Sequence, residues 1–487
     1  MRAEGIAAAA SKMMYELKDD GYGSDGANVA VPLGGSVLAT GTYFATTVIG
    51  DKPYRVIFDT GSSDTLVHGY TSSSGRPVPC SVDPSCICDP NSNKCLFDDG
   101  YGDGTEWAGY VMEDDVELAP GLASKAQIGS IVISVDPHSL PDGIAGIQGM
   151  AYSGLSSFGA PSPFSTMAQA GLVDHVFSHC LPYGTDAEAP SVTYGPGNYS
   201  IDDFEFTPII NEKWYVGNVT GLGVGGVEVD VDPAVFTRNI SIYDSGTTLW
   251  LLQDDAFWAV WGSFLSLCDT LDLEGVCGDA SGPLFVYGDV IVLTPEQFAQ
   301  FPDITIKVAR SASPSPPPVA PAPPPPPPST ASPPPPPTGV PAPPPPSVNV
   351  TQDAGAVSSE GDGDDVVIVV PPSAYLLPVS TTSDGIGYFY GIQSAPITIM
   401  GDVVLSNYHV RYEMDTGRVG FGPLSTCPTV GPVPPLPPTP SSPPSKTSTY
   451  VVVGVVVGIV AIVGAVVGVY LVVRSRSLRH GIYDEIN

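Results

Sequence analysis

Two short segments, a domain's length apart, carry the same local pattern. Val56 to Val67 reads VIFDTGSSDTLV, and Asn239 to Trp250 reads NISIYDSGTTLW. In each, an apolar run rich in β-branched and aromatic residues ends on an aspartate. A hydroxyl residue, a glycine and another hydroxyl residue follow. The two aspartates, Asp59 and Asp244, lie 185 residues apart (244 − 59). A pattern repeated at that distance calls for two similar half-structures, each about one domain in size. The nearest base to Asp59 along its strand is Arg55, four residues back, so an ion pair does not account for the carboxylate.

Two carboxylates brought to one site cannot both ionise cheaply, so the pair holds one proton and titrates as a unit. Such a pair can clamp a water molecule. One carboxylate takes the water's proton as it attacks a carbonyl, and the other gives a proton to the carbonyl oxygen. Gly61 and Gly246 would let the two backbones approach. Ser62 and Thr247 would bond the outer carboxylate oxygens, and Thr60 and Ser245 would brace the opposite turn. This chemistry needs no metal and no cofactor.

The chain has 487 residues and a net charge of −33, with only 18 lysines and arginines. Nucleic acid is therefore excluded as a partner, because its backbone demands a basic footprint. Eight cysteines, Cys80, Cys86, Cys88, Cys95, Cys180, Cys268, Cys277 and Cys427, suit a disulfide framework in an oxidising compartment. Four glycosylation sequons, at Asn198, Asn218, Asn239 and Asn349, point to the same secretory route.

Short strand-like runs separated by Gly-rich turns dominate from Val31 onward, with helices expected at Pro163–Phe177 and Asp254–Leu267. We expect a mainly β, all-β-class body in two lobes, with a few short helices. Residues 1–30 read as a flexible segment, 31–208 as an N-terminal β-lobe and 209–427 as a C-terminal β-lobe. The second lobe is interrupted at 310–365. There, 21 of the 33 residues from Pro314 to Pro346 are proline, enough for a polyproline segment of roughly 100 Å. The flanking runs FPDITIKV and VVIVV make this insert a surface loop closing a hairpin.

Residues 428–449 form a second Pro-rich stretch, read as a stalk. Tyr450 to Val473 is an uncharged run of 24 residues, long enough to span a bilayer as one C-terminal transmembrane helix. Arg474, Arg476 and Arg479 follow, which puts residues 474–487 in the cytosol and the body in the lumen or outside, a type I arrangement. Gly454/Gly458 and Gly464/Gly468 offer two dimerisation pairs in that span. The first twenty residues lack the apolar core of a signal peptide, so we expect an incomplete or atypical start. Tyr483 to Ile486 matches a tyrosine sorting pattern. His68 and His409 read as surface or structural polar groups.

Beyond the paired turns, the chain resembles the pepsin family of aspartic endopeptidases. GTYFATTVIGDKPYRVIFDTGSS is similar to that family's first active-site region. YGDGT, Tyr101 to Thr105, resembles its flap, which makes Tyr101 the flap tyrosine, with Gly102 and Gly104 at the turn. DGIAGIQGMAY and ITIMGDVVLSNYHVRYEMDTGRVGFGP resemble the paired apolar-apolar-Gly segments beneath each aspartate, with Ile144-Ala145-Gly146 and Ile399-Met400-Gly401 in those places. The resemblance covers roughly Val31 to Cys427, less the insert. YGDGT, FSHCLP and the loop Cys80–Cys95 are similar to plant, nepenthesin-like members, and the stalk and span to tethered members such as beta-secretase.

The resemblance implies a bilobal acid protease fold, peptide or protein substrates and an Asp59–Asp244 dyad. By the plant-type pattern it also implies bridges Cys180–Cys427 and Cys268–Cys277, with two more inside Cys80–Cys95, whose connectivity stays open among three pairings. Two departures stand out. The family's tryptophan seven residues after the first aspartate is here Leu66, which cannot bond the flap tyrosine. The stretch before Val31 is also shorter than the family's basic inhibitory pro-piece. The alternative is a catalytically inactive protein on the same fold, either an inhibitor-like binding protein or a cell-surface protein.

Overall fold

The computed structural model describes residues 27–82, 86–89, 91–135, 140–183, 189–238, 240–277, 290–311, 365–383 and 385–433. Their architecture is mainly β, with a few short helices. Sequons Asn239 and Asn349, most of the Pro-rich insert, the stalk beyond residue 433, the Tyr450–Val473 run and the tail lie outside the described residues. Among the described residues no helix is long and apolar enough to cross a membrane.

Alternation builds the first lobe. Lys52–Asp59 buries Tyr54, Val56 and Phe58 and leaves the residues between them partly exposed, as a strand packed on one face must. It pairs antiparallel with Thr42–Ile49 through a tight Gly50 turn. On its other side runs Gly146–Gly149, parallel to it and antiparallel to Thr65–His68. The chain thus leaves one strand at Asp59, turns, and returns as Thr65–His68 on the far side of a third strand. Asp59 sits in the opening so made. The long hairpin Glu106–Ala119 and Leu122–Val135 extends this into a ten-stranded sheet.

The second lobe repeats the device. Ser241–Tyr243 and Trp250–Gln253 flank Thr398–Met400, parallel to the first and antiparallel to the second. The matching registers correct one sequence assignment. Gln148 lies opposite Phe58 and Thr65, and Met400 lies opposite Tyr243 and Trp250. The counterpart of Ile399-Met400-Gly401 is therefore Ile147-Gln148-Gly149, not Ile144-Ala145-Gly146. Gln148 disguised it, because a polar side chain breaks the apolar pattern. It is buried, and Thr47 and the Tyr194 hydroxyl satisfy its amide.

Ile304–Ala309 and Asp365–Val370 are antiparallel neighbours, with Ala309 opposite Asp365. The chain thus leaves for the Pro-rich segment and re-enters at one point of one sheet. Asp254–Leu267 is helical over the expected residues. The Gln253 side chain caps its first turn, and Phe257, Val260, Trp261 and Phe264 face the core. Each contributes about 1.5–3 kcal/mol of burial. The other expected helix is shorter. It covers only Pro163–Gln169, stops before Gly171 at φ 70°, and gives way to the strand Val176–Cys180.

A six-stranded sheet joins the lobes, in the order Val29–Pro32, Ser191–Tyr194, Val176–Cys180, His409–Glu413, Arg418–Gly422, Glu205–Pro208. Pairing therefore begins ahead of Val31: Ala27 bridges Val173, and Val29 lies opposite Tyr194. Under this sheet Phe177 stacks on Tyr412 with ring centroids 4.7 Å apart, and Phe58 and Phe164 meet Phe177 edge-on. One continuous core thus runs from the Asp59 strand into the second lobe.

His409 is fully buried in this sheet rather than at the surface, bonded to Thr426 (2.8 Å) and Ser178 (2.9 Å). Burial, then the charge of Arg411, pushes its pKa down to about 3. An unfolded histidine takes its proton near 6.5. Between those values the unfolded chain binds more protons, so stability falls as pH drops through that window. In His409→Asn we expect the difference between urea midpoints at neutral pH and in acid to shrink, by about 2 kcal/mol. An unchanged difference would remove His409 from the acid response.

Candidate active site

The Asp59 and Asp244 turns are built alike. Asp59 Oδ1 accepts from the Gly61 amide (2.7 Å), and its Oδ2 accepts from the Ser62 hydroxyl. Asp244 Oδ1 accepts from the Gly246 amide (2.8 Å), and its Oδ2 from the Thr247 hydroxyl (2.8 Å). Between the lobes the bonds cross. The Thr60 amide donates to Ser245 Oγ (3.1 Å), and the Ser245 amide donates to Thr60 Oγ1 (2.9 Å). Each hydroxyl then reaches a carbonyl of the other lobe, Thr60 to Tyr243 (3.0 Å) and Ser245 to Phe58 (2.8 Å).

This brace holds the carboxylates together. A Cβ placed on Gly61 would lie 2.4 Å from the Asp244 carboxylate, and one on Gly246 would lie 2.3 Å from Asp59 Oδ1. No other residue fits at either place. Both aspartates are nearly buried, 4% and 8% exposed. Burial, then the facing Asp244 charge and a hydrogen bond to it, pushes Asp59 well above the usual carboxylate range. The pair therefore keeps a proton under conditions in which isolated carboxylates have lost theirs.

The flap turn is closed by Tyr101 N–H to the Thr105 carbonyl (2.8 Å) and by Thr105 N–H to Asp103 Oδ1 (2.8 Å). Gly104 takes φ 88°, and Gly102 stands in open space. Leu66 is fully buried in a small apolar cluster with Phe97 and Trp107. It makes no polar contact with Tyr101. The Tyr101 ring instead meets Trp107 edge-on at 5.1 Å, on the flap's own second strand.

Sequence reasoning passed over several residues here. The Trp214 indole donates to the Gly61 carbonyl (3.1 Å), fixing the first turn from the second lobe. Asp402, directly after Gly401, is fully buried with neither carboxylate oxygen hydrogen-bonded. Burial, then Asp244 and Asp59, holds it well above the usual carboxylate range. A carboxyl beside Gly401 was the available signal.

The described cysteines pair as Cys80–Cys88, Cys86–Cys95, Cys180–Cys427 and Cys268–Cys277. His409 lies within 4.8 Å of the Cys180 and Cys427 sulfurs, but these are bonded to each other and leave no thiolate for a metal. Asn198 is exposed, and its Oδ1 accepts from Asn28 (2.9 Å). Asn218 is half-buried, directly ahead of the strand Val219–Val224.

Two lobes that each offer an aspartate on a braced turn, beside a hairpin, resemble the arrangement of the pepsin-like aspartic proteases. Residues 42–268 match the family model described as eukaryotic aspartyl protease. An aspartic protease of Phaffia rhodozyma is 29% identical over 46% of this chain and 52% of its own length. Nepenthesin-1 of Nepenthes gracilis is 26% identical over 50% of this chain and 59% of its own. Aspartic proteinase 36 of Arabidopsis thaliana is 27% identical over 47% of this chain and 55% of its own. The chain spans about half the length of these curated relatives. Over residues 42–268, just under half of the chain, it is similar to the aspartyl protease family.

Proposed function

We propose that this chain is an aspartic-type endopeptidase that cleaves extended peptides in acid. The observation that carries the reading is the reciprocal brace of Thr60 and Ser245, which sets two buried carboxylates against each other's turns. One shared proton and one water between Asp59 and Asp244 suffice for the reaction. The ionised carboxylate draws a proton from the water, whose oxygen attacks the peptide carbonyl. The protonated partner gives its proton to the carbonyl oxygen, and the tetrahedral product then collapses with a proton passed to the leaving amine. The inner oxygens are held by the Gly61 and Gly246 amides, which favour charge there without supplying protons. Tyr101 closes over the substrate.

The Tyr450–Val473 run supports a membrane tether with the body on the luminal or outer side, and four disulfides suit that side. The test is cleavage of an unfolded protein in acid, with and without pepstatin. Cleavage that pepstatin abolishes is expected. A folded protein that cuts nothing at any acidic pH would leave an inactive, binding-type protein on this fold.

A further inference from the structure

One basic residue, Arg55, stands four places ahead of Asp59 on the same strand. Arg310, Arg411 and Arg418 each meet a glutamate, but among the described residues no carboxylate lies within ion-pair distance of Arg55. Its side chain is half-buried, and its Nε is buried without an acceptor. Thr46 lies directly opposite on the neighbouring strand, and its hydroxyl is also buried without a partner. Open buried polar groups are rare in native structures and call for an explanation. The chain carries 51 acidic residues against 18 basic ones. A guanidinium that meets none of so many acids is held apart from them.

Side chains two apart along a strand share a face. Arg55, Ile57 and Asp59 therefore project together, while Tyr54, Val56 and Phe58 enter the core behind them. Ile57 and Tyr101 pack against the same apolar cluster, with Leu66 and Trp107. This is thus the face that looks toward the Tyr101 hairpin. The Arg55 guanidinium lies over the Phe44 ring, 5.2 Å from its centroid, and Phe44 sits opposite Ile57, two residues nearer to Asp59. The side chain therefore leans along the strand toward the dyad. At roughly 3.4 Å of rise per residue, its charged end stops about 7 Å short of Asp59 along the strand. The loop ahead of Gly146 passes beside it at Gly143, where even a Cβ would stay 4.0 Å from Arg55 Nη1.

We propose that Arg55 determines specificity by receiving an acidic side chain of the substrate, an aspartate or glutamate placed about two to four residues from the bond that is cut, since an extended peptide advances as a strand does. The incoming carboxylate accepts from the guanidinium N–H groups, the forked pairing that arginine favours. Thr46 offers its hydroxyl from the neighbouring strand, and Phe44 holds the cation by its ring face. The acid has to come from the substrate, because the described residues supply none. The inference rests on the protease reading for the occupant's being a substrate. The preference of the site for a carboxylate over a neutral amide does not.

The test uses twin peptides that differ in a single residue, glutamate against glutamine, moved in turn through the positions around the cut bond. They are assayed with the full chain at about pH 5, where a free glutamate is ionised. In the parent, kcat/KM should favour the glutamate twin by about tenfold at one position. The ratio should fall to about one in Arg55→Gln and reverse in Arg55→Glu. Each ratio is taken within one sample, so the fraction of a variant that has folded cancels. A parent that cuts the twins equally at every position would overturn the assignment, and so would an Arg55→Gln chain that keeps the parent's ratio. Binding separates this outcome from the protease reading. Fluorescence anisotropy of the labelled twins with Asp244→Asn should show the glutamate twin held about tenfold more tightly, and the difference should vanish when Arg55→Gln is added. A parent that cuts nothing while this difference persists sinks the protease reading and leaves the Arg55 site standing. Equal binding of the twins, or none, overturns the site.

Discussion

Asp59→Asn and Asp244→Asn should each fold, keep the wild-type stability in urea at neutral pH within about 1 kcal/mol, and lose at least ~10³-fold in kcat/KM for the proposed peptide cleavage in acid. Asparagine preserves the size of the group and can still accept from the Gly61 or Gly246 amide. It can neither hold the shared proton nor take one from water. The two losses should be of similar size, because removing either member ends the exchange. A variant that retains more than a tenth of the activity would mean that the acid cleavage comes from another group. The neutral amide also removes the like-charge repulsion that pushes Asp59 upward. Any residual activity should therefore have an altered pH profile as well as a lower maximum.

Opening the Cys180–Cys427 bridge by Cys180→Ser with Cys427→Ser should cost about 2–5 kcal/mol of stability without changing the site. The bridge closes the longest loop among the four, its ends separated by 247 positions in sequence, and loop length sets how much freedom the unfolded chain regains. Its partners lie deep in the shared sheet. Cys180 is 1% exposed and sits opposite His409, whose ring is held by Thr426 next to Cys427. The measurement is a urea unfolding curve of the double variant, with cleavage assayed before denaturant is added. A midpoint equal to the parent's would mean that the strand pairings alone hold the closing end of the body.

The facing aspartate turns, their hydroxyl braces and the Tyr101–Thr105 turn were legible in the sequence because each depends on a contiguous run. VIFDTGSS, YDSGTT and YGDGT each carry strand, turn and side chain within a few residues. Gln148 was missed because its buried amide is paid for by Thr47 and Tyr194, from two other strands. Trp107 was missed because its position opposite Asp99 depends on hairpin register. Nothing in the run around Asp64 reports that its carboxylate is buried against Ser157, 93 residues away, because that contact forms only when the body is folded. The shared sheet was equally hidden, since its six strands come from the start, the middle and the end of the folded body. No local periodicity reports such pairings.

That sheet also sets the order in which the body can be completed during synthesis. The Asp244 amide bonds to Met400, and the sheet under both turns is completed only by Arg418–Gly422. A nascent chain still lacking those residues has both aspartate turns and the Thr60–Ser245 brace but not the closed sheet beneath them. The platform under the two aspartate turns is therefore finished only when synthesis has passed the last strand.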